Sequence, residues 1–166
     1  MAGDERLSGR SEGHEPEVVF EQFYLEHFAG LVRLAYLVTL EEQEARDVVQ
    51  ECFIGAARRW DDIDEPLAYL RRSVANRSYR SIRDARRRRD KTERHAALAA
   101  VEVRDDVDEL ADVIAGLPAR QRAVVVLRFY LDLSTDEIAA ALDMPRGSVG
   151  PTLGRALQRL RVVVPR

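Results

Sequence analysis

Between Arg71 and Arg94 the chain places Arg71, Arg72, Arg77, Arg80, Arg83, Arg86, Arg87, Arg88, Arg89, Lys91 and Arg94 against only Asp84, Asp90 and Glu93. Guanidinium groups concentrated in one segment suit phosphate. Tyr69, Tyr79 and Trp60 stand beside them as aromatic surfaces. A basic track with aromatic platforms is the chemistry that holds single-stranded nucleic acid, at about 1–3 kcal/mol per stacked base. Upstream, Asp47, Gln50, Glu51, Ile54 and Arg58 recur at three- and four-residue steps, which on a helix makes one polar face interrupted by Ile54. A solvated face has no need of Ile54, whereas a contact face does. Near the C-terminus, GSVGPTLGRALQRLR (residues 147–161) carries Val149, Leu153, Ala156, Leu157 and Leu160 on one stripe. Its other face holds Gly150, Pro151, Thr152, Gly154, Arg155, Gln158, Arg159 and Arg161.

No constellation of this kind exists for catalysis. The sequence has no Gly-rich phosphate loop, nucleophile elbow or paired catalytic carboxylates. His14, His27 and His95 are scattered without metal spacing, and Cys52 is the only cysteine. On the apolar stripe of its helix, Cys52 reads as a small core residue. The expectation is therefore a binding protein, not an enzyme, with no metal, no cofactor and no small-molecule substrate.

The formal charge of the 166 residues is -3, which argues against nucleic acid only if charge is evenly spread. It is not: segments 41–65 and 102–112 are acidic and segment 71–94 strongly basic, so the asymmetry is the informative quantity. No apolar run approaches the roughly 18 residues of a membrane span. The N-terminus lacks the apolar centre of a secretory signal, and the lone cysteine excludes an internal disulfide. A cytoplasmic location is expected.

The elements that must position these residues are all helices, because no strand-like alternation appears. Residues 1–16 read as a disordered tail. From Val19 a helical pattern runs through Phe20, Phe23, Tyr24, His27, Leu31, Leu34, Ala35 and Val38. Thr39 and Glu42 have the spacing of a capping box opening a second helix, which buries Ala45, Val48, Val49, Cys52, Phe53, Ala56 and Trp60. After the loop DDIDEP, Pro66 starts a third helix that buries Leu67, Leu70, Val74 and Ile82 and ends in the Arg run. Residues 17–90 thus form one domain and residues 91–106 a flexible linker. Residues 107–166 form a second domain, with Leu110, Val113 and Ile114 on one helix and another over 119–131. Ser134 and Glu137 make a second capping box for a short helix through Leu142; the turn 143–147 then leads to a helix over 148–161 with Ser148 as N-cap. Short helix, turn and last helix fit a helix-turn-helix.

The motifs, in order, are DVVQECF (47–53), PLAYLRRSVANR (66–77), LPARQRAVVVLRF (117–129), LSTDEIA (133–139) and PRGSV (145–149). Together they resemble bacterial RNA polymerase sigma factors over roughly residues 18–90 and 107–162. With no room for the central domain of larger relatives, the chain is similar to the two-domain, extracytoplasmic-function group. The resemblance implies that Asp47, Gln50, Glu51, Ile54 and Arg58 face core RNA polymerase. It implies that Tyr69, Arg71, Arg72, Asn76, Arg77, Arg80 and Arg83 engage the melted minus-ten element, with loop 61–65 lining a pocket for a flipped base. It implies that Arg146, Ser148, Thr152, Arg155, Gln158 and Arg159 meet the double-stranded minus-thirty-five element. Such factors are commonly held inactive by an anti-sigma factor covering both DNA-facing surfaces. The main alternative is a helix-turn-helix regulator that does not bind core polymerase, and a further one is a helical interaction module with no nucleic-acid role.

Overall fold

A computed structural model of the chain describes the backbone of residues 16–92 and 107–163 and the side chains of residues 19–88 and 110–161. The expected tail lies outside these residues except for Pro16. The expected linker lies outside them except for Lys91 and Thr92, which belong to a helix. No strand occurs among the described residues.

Pro16 opens α1 (Pro16–Thr39), a position where its missing N–H is no loss. The Thr39–Glu42 capping box does not form. Thr39 instead closes α1, and its hydroxyl bonds locally to the backbone of Glu41. Leu40 turns the chain with φ 59°, its N–H bonding Tyr36 O at 2.7 Å. Glu41 is the N-cap of α2 (Glu42–Ala57), without a side-chain cap bond. The buried side of α2 is Ala45, Val48, Val49, Cys52, Phe53 and Ala56, as the periodicity predicts. Trp60, expected on the buried stripe of α2, lies beyond its end, where Trp60–Asp62 makes a 3₁₀ turn into the expected loop. Phe20, Phe23, Tyr24 and Phe28 surround Phe53, and Trp60 lies edge-on to Phe20 and Phe23, with centroids 4.8 and 5.0 Å away. Trp60 is thus a packing residue, as expected. α3 (Pro66–Thr92) continues through the Arg run instead of stopping in it.

The second unit comprises α4 (Val107–Ala115), α5 (Ala119–Val125) extended by a π-helical turn (Val126–Tyr130), α6 (Thr135–Ala141) and α7 (Arg146–Val163). Leu110, Val113 and Ile114 share α4, as expected; Ile114 is buried and Leu110 is 40% exposed. The Ser134–Glu137 capping box forms in full, both partners satisfying amides at the start of α6. At the other end of α6, Met144 N bonds Ala139 O at 3.0 Å and Asp143 N bonds Ala140 O at 3.4 Å. That pair of bonds is a Schellman closure, with Asp143 (φ 49°) at the left-handed position that glycine usually takes and Met144 buried beyond it. It redirects the chain into α7 and completes the helix-turn-helix.

The two units share one hydrophobic interior. Leu37 and Val38 of α1, and Leu70 and Val74 of α3, belong to the same buried cluster as Ile114, Leu117, Val124 and Leu127. α4 and α5 seat on α1, and α5 and α6 on α3.

Candidate nucleic-acid interface and partner face

α2 turns its second stripe outward. Asp47, Gln50, Glu51, Ile54 and Arg58 are all exposed, Ile54 by 56%. The neighbouring residue, Phe53, is 3% exposed. Gln43 donates to Asp47 Oδ1 at 2.8 Å, which orients the carboxylate on the surface. Glu51 forms an ion pair with Arg77 of α3. Spacing along one helix cannot show this pair, because it joins two helices; it links the α2 face to the basic track. An apolar side chain ringed by oriented carboxylates, an amide and a guanidinium suits a partner that brings basic donors and an apolar patch.

Along α3, Arg71, Arg72, Arg77 and Arg80 are exposed, and so are Arg86, Arg87 and Arg88. Arg83 is half-buried and pairs with Asp84 at 3.5 Å. The side chain of Arg89 lies outside the described residues. Tyr69 is half-buried, with the Arg59 guanidinium 5.8 Å from its ring centroid. Tyr79 is half-buried and packs against the core. A cleft of about 960 Å³ opens here: Tyr69, Asn76, Arg77 and Arg80 line one wall, loop residues Asp62 to Glu65 a second, and Glu137 with Ala140 and Ala141 of α6 a third. Cys52 reaches its floor, where burial pushes the thiol up to about 11, Arg77 pulling it down and Glu51 pushing it further up.

Two residues of this track bond to α6. Arg72 is ion-paired with Glu137 of α6, and Asn76 Nδ2 donates to Ala141 O at the end of the same helix. Glu137 has its carboxyl held below the usual range by the Ser134 amide and hydroxyl first, then by Arg72. A third bridge lies in the interior. Arg122 of α5 is 7% exposed, and burial pulls its guanidinium below the ordinary range. Its Nε donates to Val38 O at 2.9 Å and its Nη1 to Leu117 O at 3.1 Å. Val38 lies in the last turn of α1, where carbonyls lack helical partners, and Leu117 lies in the connection between α4 and α5. In the sequence Arg122 is one more arginine within LPARQRAVV; only the apolar residues after it hint that it faces inward.

On α7 the outward face differs from expectation in two places. The helix begins at Arg146, so Ser148 is inside its first turn, half-buried, and is not the N-cap; its N–H bonds Pro145 O at 2.8 Å. Thr152 is 3% exposed. It follows Val149 by three residues and precedes Ala156 by four, and α7 is packed by α5 on one side and α6 on the other, so the buried arc is wide enough to take Thr152 in. Thr152 is therefore removed from the set that meets DNA. Arg155, Gln158 and Arg159 remain exposed, as does Arg146, which pairs with Asp136. Pro151 falls inside the helix, so Gly147 O loses the bond that an N–H there makes. A Cβ added at Gly147, Gly150 or Gly154 meets nothing within 4 Å. The smooth first half of this face is thus not demanded by packing within the chain.

Known proteins share this fold. The sigma-70 region 2 family model matches residues 23–88 and the sigma-70 region 4 model residues 108–160. The chain is 35% identical over 157 residues to the RNA polymerase sigma-E factor of Streptomyces avermitilis, covering 89% of this chain and 86% of the relative. It is 30% identical over 170 residues to the ECF RNA polymerase sigma factor SigL of Mycobacterium tuberculosis, covering 96% and 95%. Among solved structures, the sigma factor RpoE in complex with the anti-sigma factor NepR from Bartonella quintana superposes with TM-score 0.64 at 23% identity, over 89% of this chain and 99% of that one. CnrH in complex with the cytosolic domain of CnrY does so with TM-score 0.58 at 26% identity, over 90% and 89%.

Proposed function

The chain belongs to the sigma-70 family of RNA polymerase sigma factors, in its extracytoplasmic-function group, and from that premise we propose how its faces divide the work. The α2 face docks on core RNA polymerase. Asp47, Gln50 and Glu51 offer acceptors to basic groups of the polymerase, and Ile54 supplies the contact that loses its water. The α3 track, with Tyr69, Arg71, Arg72, Asn76, Arg77, Arg80 and Arg83, holds the melted minus-ten strand, and loop 61–65 shapes the pocket beside it. Arg155, Gln158, Arg159 and Arg146 of α7 meet the minus-thirty-five duplex, bases falling to Arg155 and Gln158 and phosphates to the other two. With Gly147, Gly150, Pro151 and Gly154 offering no side chain of reach, part of that readout passes to DNA shape.

The protein acts by binding, as an initiation factor, and not as a catalyst. No helix among the described residues is long and apolar enough to cross a membrane, and the work of the protein lies in the cytoplasm, where polymerase is. An anti-sigma factor is a fitting regulator, since both solved relatives above are complexes with partner proteins, RpoE with an anti-sigma factor and CnrH with the cytosolic domain of CnrY.

The observation that carries the reading is the outward α2 stripe, with Ile54 56% exposed amid polar groups. A helix-turn-helix regulator that ignores polymerase has no use for it. The test is co-purification with core polymerase. Truncating one partner of a buried charged hydrogen bond costs about 2–5 kcal/mol at an interface, so Gln50→Ala combined with Glu51→Ala is expected to abolish retention. Undiminished retention of that double variant contradicts the assignment of this face.

A further inference from the structure

Given the assignment of α3 and loop 61–65 to the minus-ten strand, on which the inference rests, we propose the base chemistry that this site takes. Arg59 and Tyr69 close on one unstacked base, and the carboxylates of Asp62, Asp64 and Glu65 select cytosine over thymine there.

Arg59 follows α2 and Tyr69 lies in α3, yet the Arg59 guanidinium is 5.8 Å from the Tyr69 ring centroid. The chain between them is pinned. Trp60 is wedged edge-on to Phe20 and Phe23. The N–H groups of Asp62 and Ile63 bond Arg59 O at 3.0 Å and Trp60 O at 3.2 Å, and Tyr69 N bonds Glu65 O at 2.9 Å as α3 begins. The backbone thus fixes where both side chains start, while Arg59 itself is exposed. A guanidinium is planar and stacks on aromatic faces, as every base does. Stacked bases lie about 3.4 Å apart, so a base held between ring and guanidinium needs about 7 Å. That is about 1 Å more than the present 5.8 Å, a shift that rotamer motion of an exposed arginine supplies.

A purely basic track with aromatic platforms holds all bases alike, but this cleft is not purely basic. Asp62, Asp64 and Glu65 line it beside Arg59 and Tyr69. All three are exposed, and among the described residues no ion pair or side-chain hydrogen bond occupies their carboxylates. Beside a phosphate backbone such charges weaken binding unless they meet a donor. An ionised carboxylate only accepts hydrogen bonds. Cytosine offers it the N4 amine, whereas thymine turns O4 and a methyl group to the same place. The two pyrimidines have the same ring size, so the clamp holds either and the carboxylates decide between them.

The test uses core polymerase saturated with the full chain, and binding by core polymerase alone is subtracted. The probes are a 12-nucleotide oligodeoxycytidine and a 12-nucleotide oligothymidine, at mildly alkaline pH where cytosine is unprotonated. The parent is expected to prefer oligodeoxycytidine roughly tenfold, the scale of a hydrogen bond to a charged group at a partly solvated site. Asp62→Asn with Asp64→Asn and Glu65→Gln is expected to bring the ratio near one, because an amide donates to thymine O4 as well as accepting from cytosine. The ratio cancels the general gain in affinity from removing negative charge. Arg59→Ala is expected to weaken both probes about fivefold or more and to leave the ratio unchanged. Arg59→Lys keeps the charge but loses the plane, so it is expected to bind like Arg59→Ala. No preference in the parent, or a preference that survives the triple variant, overturns the selection. Arg59→Lys binding like the parent overturns the clamp. The assignment of α3 fails separately: Arg71→Ala with Arg80→Ala then leaves the binding of both probes unchanged.

Discussion

Phe53 and Ile54 are adjacent in sequence and opposite in fate, and substituting each gives opposite readouts. Fully burying an isoleucine side chain is worth about 1.5–3 kcal/mol. Ile54 remains 56% exposed, so that fraction of its transfer energy, about 0.8–1.7 kcal/mol, is still to be gained on docking. Ile54→Ser is therefore expected to weaken binding to core polymerase about 4- to 16-fold, at 1.4 kcal/mol per factor of ten. It should leave folding nearly unchanged. Phe53 is 3% exposed and meets the rings of Phe20, Phe23, Tyr24 and Phe28. Phe53→Ala is expected to cost about 3–5 kcal/mol of stability, since core aromatic truncation both loses transfer energy and leaves a cavity. Fluorescence anisotropy of labelled chain titrated with core polymerase reads the first, and urea denaturation the second. Ile54→Ser with parental polymerase affinity refutes the reasoning, and so does Ile54→Ser with a large loss of stability.

On α7, Arg155→Ala is expected to weaken binding to promoter duplex far more than Thr152→Ala, because Thr152 is buried; equal effects in a mobility-shift assay contradict this. Pro151→Ala restores the N–H that Gly147 O lacks and is expected to stabilise the fold by about 1–3 kcal/mol, seen as a raised Tm. An unchanged or lower Tm would show that the helix accommodates the proline without loss. The Cys52 thiol, ordinarily near 9.0, is pushed up to about 11 by burial. The folded state then retains a proton that the unfolded chain releases, so this contribution is whole below about 9 and is lost as pH rises through about 11. Melting midpoints should fall over that window, and Cys52→Ala should flatten the fall; an equal fall in both excludes the thiol as its source.

Local chemistry made much of the fold legible. The period of Val48, Val49, Cys52 and Phe53 placed the buried side of α2, and Ser134 with Glu137 marked the start of α6, because both signals are complete within a few residues. The Thr39–Glu42 pair had the same spacing but failed, since Thr39 is already the last residue of α1 and its hydroxyl is taken by Glu41. Thr152 was misplaced for a tertiary reason: whether a polar residue at the edge of an apolar stripe turns inward depends on how wide an arc the neighbouring helices cover. Glu51 with Arg77, Arg72 with Glu137, and Arg122 with Val38 join residues far apart in the chain. Sequence spacing is silent on them, and a buried arginine looks like any other until its carbonyls are located.

The central claim is that separate faces of one helical chain grip polymerase and promoter together. In vitro transcription with purified core polymerase tests it most directly, using DNA fragments from the source genome as templates. Adding this protein is predicted to produce initiation at discrete promoters that core enzyme alone does not use, and Gln50→Ala with Glu51→Ala is predicted to remove it. Transcription identical with and without the protein, while the protein still binds duplex DNA, contradicts the account.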